Sequence, residues 1–111
     1  WHTRWQPQAD GMPHEVVVDL GREMKLRGIT YLPRQDQSNG RIARGEVHGA
    51  LRDGEWGGML AEIRGTDSGE LQEVLFKEPA TVRFLKIVAK TEVRGEPFVA
   101  IAELDVLQAA P

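Results

Sequence analysis

The stretch Thr81-Val-Arg-Phe-Leu-Lys-Ile-Val-Ala89 decides the fold class of this 111-residue chain. Val, Ile, Phe and Thr fill it, and Arg83 and Lys86 interrupt the apolar run, as suits a pleated, half-buried surface. It is the strongest strand signal in the sequence. Upstream, Leu71–Phe76 reads as another strand, ended by Pro79, because the residue before a proline leaves helical space. Met59–Arg64 reads as a short strand, and Ile42–Leu51 as a strand diluted by Gly45 and Gly49. Between them Arg52–Trp56 carries Asp-Gly, a hairpin signal that rests on positive φ values.

Further out, Leu26–Leu32 alternates apolar and polar residues with period two. Glu15–Leu20 is a β-branched strand closed by Gly21. On the other side, Arg94–Pro97 is a loop and Ala100–Leu107 is the last strand. No longer segment keeps a helical period of about 3.6 residues. Short strands at regular spacing with turn signals between them predict an all-β sandwich or barrel. No internal repeat, linker or low-complexity tract divides residues 1–111, which read as a single module.

Composition narrows the function. Hydrophobic residues make up 41% and charged residues 28% of the chain, ordinary values for a globular domain. The net charge of −3 and pI near 5.6 argue against a nucleic-acid binder, which presents a basic face. The 14 Lys and Arg are scattered, so no polybasic membrane patch forms. There is no cysteine, which excludes thiol nucleophiles and cysteine-based zinc sites. His14 and His48 have no spacing that joins His2 as a metal triad, and both read as surface residues. Arg27, Arg41 and Arg44 read as solvated faces. The chain opens on Trp1 with no signal peptide, as an excised or processed piece would.

The most polar recognition chemistry lies in Tyr31-Leu-Pro-Arg-Gln-Asp-Gln-Ser-Asn-Gly-Arg41. Turn residues there carry a planar guanidinium, Arg34, and a side-chain amide, Asn39, which together suit a small polar ligand. Taken alone, the same residues also make an ordinary connector. Trp1-His-Thr-Arg-Trp5 adds two indoles and an imidazole.

Taken in order, WHTRW (1–5), VVVDLG (16–21), ITYLPRQDQSNGRI (29–42), DGEWG (53–57), VRFLKIVAKTEV (82–93) and AIAELDVL (100–107) carry a likeness over nearly the whole chain. The series resembles the coagulation factor 5/8 type C, or discoidin-like, domain. Within that group it looks most like family 32 carbohydrate-binding modules. The resemblance implies a non-catalytic jelly-roll β-sandwich that binds terminal galactose or N-acetylgalactosamine through loops at one end. It also implies attachment to a secreted glycoside hydrolase or sialidase in a bacterial extracellular or periplasmic setting. Relative to the family, the N-terminal strand and loop are missing here.

The site it implies pairs His2, Arg34 and Asn39, which match residues that bond sugar hydroxyls, with Trp5 and Phe98, which match aromatics flanking the ring. The chemistry agrees: an aromatic plane covers the apolar C–H face of a pyranose, and fixed donors and acceptors read its hydroxyl rim. Trp1 and Trp56 match buried family positions. Glu103 and the Ala102 carbonyl match half of a structural calcium site, whose acidic loop belongs to the missing segment. Two other functions fit the sequence less well. An adhesion module binding a protein or phospholipid through the same end loops would need apolar tips, and here the loops are polar apart from Met12. An enzyme would need carboxylates paired as acid and base, and nothing in the sequence brings Asp19, Asp36 and Glu103 together.

Overall fold

Among the described residues, period-two alternation becomes antiparallel strands. The computed structural model describes residues 2–6, 14–33, 35, 41–65, 68–93 and 101–109, apart from the side chains of 2–6, 14, 101 and 102. Trp1, Arg34, Asn39 and Phe98 lie outside the described residues. Six strands form among those described: β1 (His2–Gln6), β2 (His14–Pro33), β3 (Ile42–Ala50), β4 (Met59–Arg64), β5 (Gln72–Glu92) and β6 (Ile101–Gln108). Their order is β1-β2-β5-β3-β4, with β6 also paired to β2, and every pairing is antiparallel.

Two long strands organise this arrangement, where the sequence suggested four shorter ones. β2 runs through Gly21 because that residue takes φ +83°, which turns the strand without ending it. The Asp19 carboxylate accepts the Gly21 N–H at 2.8 Å, and the register on β5 shifts between Asp19 and Met24. β5 likewise continues past Pro79. Its pairing with β2 passes from Leu75 to Ala80, so the missing proline N–H falls where no ladder bond is made.

The bends divide the strands into two blocks. In one, residues 15–19 of β2 lie between β1 and residues 84–88 of β5, with β3 and β4 beyond. In the other, residues 26–33 of β2 lie between β6 and the first half of β5. One core cluster draws Val18, Val47, Ile63 and Leu85 from the first block and Leu26, Ile29, Val74 and Phe76 from the second. The blocks therefore face each other across that core as a β-sandwich. Gly45 has a packing reason rather than a diluting effect: a Cβ there would lie 2.5 Å from the Val88 carbonyl oxygen. At the β3–β4 connection, Gly54 alone takes the positive φ (+87°) and the Glu55 N–H bonds the Arg52 carbonyl at 3.1 Å. Strand β4 begins only at Met59, so the Asp-Gly turn is not a tight two-residue hairpin.

Two expectations change on the face away from the core. His48 is half-buried rather than a plain surface residue, with its Nε2 3.0 Å from Glu46 Oε1. Lys90 Nζ reaches the other oxygen of Glu46 at 2.6 Å. The Lys90 bond first, then that of His48, holds the Glu46 carboxyl below its ordinary pKa. Trp56, expected in the core, is also only half-buried, and the Lys86 ammonium sits 4.9 Å from its ring centre.

Candidate functional site

The site residues proposed from sequence fall mostly on segments whose attachment points are described. Residues 34–40 leave β2 at Pro33 and return at Arg41, while residues 94–100 leave Val93 and return to β6 at Ile101. These attachment points are joined in pairs. Pro33 and Ile101 are register partners, and the Val93 N–H donates to the Arg41 carbonyl at 2.9 Å. The sheet thus joins the attachment points of the segment carrying Arg34 and Asn39 to those of the segment carrying Phe98, at both ends of each. Neighbouring loops on a rigid sheet are where recognition residues concentrate.

β1 supplies the other two candidates by register. Trp5 lies opposite Val16, next to Gln6, at the end of the block where β2 begins and pairs with Val88 and Ala89. His2 lies opposite Asp19, roughly 10 Å farther along the strand at about 3.3 Å per residue. The register alone does not bring His2 to the end from which the paired segments leave. Asp19, its partner across the ladder, makes a two-point ion pair with Arg83, Nε to Oδ1 at 3.1 Å and Nη2 to Oδ2 at 3.2 Å. That carboxylate raises the Arg83 pKa, and the guanidinium also lies 5.2 Å from the Phe84 ring centre.

Tyr31 and Gln35 mark the base of the 34–40 segment. Tyr31 is 3% exposed in the core, and burial pushes its phenol up to about 12 from 10.0. A raised phenol pKa means that the neutral form is favoured in the fold. Its contribution to stability is complete below pH 10.0 and is lost as pH rises towards about 12. Because Tyr31 is the sole tyrosine, phenolate absorbance should titrate later in native than in denaturant-unfolded protein. Coincident titrations would refute this. Gln35, a residue that sequence reasoning passed over, bonds through Nε2 to the carbonyls of Pro33 and Gly69, each at 2.7 Å.

The calcium candidates are less complete. Glu103 is exposed on β6, in register with Leu32, and Ala102 precedes it. Calcium takes six to eight oxygens. Among the described residues no group of three or more His, Asp or Glu is placed to hold a metal. Glu103 and one carbonyl do not assemble such a shell. The clefts among the described residues are open to solvent. One of about 390 Å³ is lined by Arg44, Glu46, Glu62, Lys90 and Thr91, and one of about 230 Å³ lies beside Tyr31, Arg64 and Gln72.

The F5/8 type C domain pattern matches residues 1–104. The chain belongs to the F5/8 type C domain family. This domain is 36% identical over 108 residues to a sialidase of Micromonospora viridifaciens, covering 96% of the chain and 16% of that protein. The chain therefore spans about one sixth of the curated relative's length. Among solved structures, CpGH89CBM32-5 of Clostridium perfringens, in complex with GalNAc-β-1,3-galactose, superposes with TM-score 0.80 and 30% identity, over 88% of this domain and 68% of that chain. The family 32 module of C. perfringens NanJ, in complex with galactose, gives TM-score 0.76 and 32% identity over 88% and 69%. The F5/8 type C fold of this chain is thus that of the family 32 modules.

Proposed function

We propose that this F5/8 type C domain is a non-catalytic carbohydrate-binding module for terminal galactose- or N-acetylgalactosamine-type sugars. The observation that carries this reading is the double pairing of attachment points, Pro33 with Ile101 and Arg41 with Val93. It ties the ends of the segment that carries the guanidinium and amide to the ends of the segment that carries the aromatic, on a fold whose solved relatives hold galactose and GalNAc-β-1,3-galactose. In this reading Arg34, Asn39 and His2 address hydroxyls, while Trp5 and Phe98 cover the apolar face of the ring.

Such sites are shallow, so a single module binds modestly and gains from a linked partner through effective concentration. The same reading makes the domain an ancillary part of a glycoside-processing protein acting outside the cell. Its role there is to hold the catalytic unit near its glycan. Calorimetric titration of the 111-residue domain with galactose, N-acetylgalactosamine and glucose tests the reading. Saturable binding of the first two and not of glucose is expected. Absence of binding to all three would refute it.

A further inference from the structure

We propose that Gln35 is a positioning residue that staples the recognition segment 34–40 to the turn at Gly69; this rests on the carbohydrate-binding reading above. Both partners of Gln35 Nε2 are carbonyl oxygens, those of Pro33 and Gly69, at 2.7 Å each. Only the NH₂ end of a side-chain amide can satisfy two acceptors, so the chemistry fixes the orientation of the group. One bond is local and holds the point where the chain leaves β2. The other crosses 34 residues of sequence to a different connection.

Gly69 receives a second side chain from the far end of the same segment. A Cβ on Gly69 would lie 3.2 Å from Arg41 Nη2 and 3.5 Å from Gln35 Nε2. Gln35 at the start of the segment and Arg41 at its end therefore both lie against one small residue. The turn bearing Gly69 is itself braced, since the Ser68 hydroxyl oxygen accepts the Glu70 N–H at 3.1 Å. Gln35 is exposed, so its two bonds are not needed to cover a core. Their effect is to hold Gln35 itself, the residue that follows Arg34 in sequence. Restricting a binding segment before the ligand arrives removes part of the ordering cost of binding.

The test compares wild type with Gln35→Ala, Gln35→Glu and Gln35→Lys by galactose titration, thermal unfolding and hydrogen exchange over residues 34–40. Gln35→Ala should bind about tenfold more weakly and exchange faster in that segment, with Tm unchanged. Gln35→Glu, the same shape with acceptors facing acceptors, should be weaker still. Gln35→Lys restores donors and should recover part of the affinity. Equal affinity and exchange in wild type and Gln35→Ala would overturn the staple while leaving the sugar site standing. A wild type that binds no galactoside would instead overturn the sugar reading and the positioning role with it.

Discussion

Leu85→Ala is expected to lower stability by about 2–5 kcal/mol, the range for emptying a fully buried leucine site. Leu85 is 0% exposed and lies in β5 opposite Val18 on one side and Gly49 on the other. It faces the interior at the centre of the larger block, where both neighbours are backbone-paired and cannot close around a void. For a domain of this size the change corresponds to a Tm drop of roughly 10–25 °C. It is also a large fraction of a typical total stability of about 5–15 kcal/mol. Denaturant unfolding should show a lower midpoint with the same slope, the mark of lost stability without altered compactness. Leu75→Ala is the control, because Leu75 is 54% exposed on the same strand. A Tm change no larger for Leu85→Ala than for Leu75→Ala would refute the proposed core.

Binding should respond most to Arg34→Ala, with His2→Ala second. Losing a charge-assisted hydrogen bond to a hydroxyl rim costs about 1.5–3 kcal/mol, or roughly 10- to 150-fold in affinity. At the modest affinity of a shallow site, that loss removes measurable galactose binding. Arg34→Lys keeps the charge and loses the planar fork, so it should retain only part of the binding. Circular dichroism should stay unchanged in both Arg34 variants, since Arg34 follows Pro33, the last residue of β2, and His2→Ala, at the first residue of β1, should keep the β signal as well. Wild-type affinity in both alanine variants would sink the site assignment. Loss in Arg34→Ala with full retention in His2→Ala would confine the site to the two paired segments. That second outcome would fit the register of His2 opposite Asp19, away from Pro33 and Ile101.

Most of the fold was legible because the strands advertise themselves through side chains. Met59–Arg64 occupies the predicted residues, and the strands around Leu85 and Leu104 lie where β-branched alternation put them. Breaks were harder to read, since the same residues end strands or bend them. Gly21 and Pro79 looked like terminators, yet one supplies a positive φ within β2 and the other occupies a gap in the ladder of β5. β1 was missed as a strand because Trp1–Trp5 is a short run before a Pro- and Gly-containing stretch, and its pairing with Glu15–Asp19 can be found only in three dimensions. Trp56 and His48 were misjudged for a related reason. An indole under a lysine and an imidazole bonded to a glutamate are both half-buried, a state that residue type does not announce. In the candidate site, residue chemistry nominated Arg34 and Asn39, but nothing local links Gln35 to Gly69.

The continuity of β2 and β5 also governs how the chain reaches this structure. Val18 pairs with Leu85 and Thr30 with Glu73, contacts that close loops of more than 40 residues. Among the described residues, only β1 with β2 and β3 with β4 can zip as short-range pairs. Long closures must be completed before the two blocks share a core, and topologies dominated by them fold in about milliseconds to seconds. The crossing of β2 with β5 is therefore the expected nucleus. Substitutions there, such as Val18→Ala, should slow folding, whereas those in β4, such as Ile63→Val, should mainly speed unfolding.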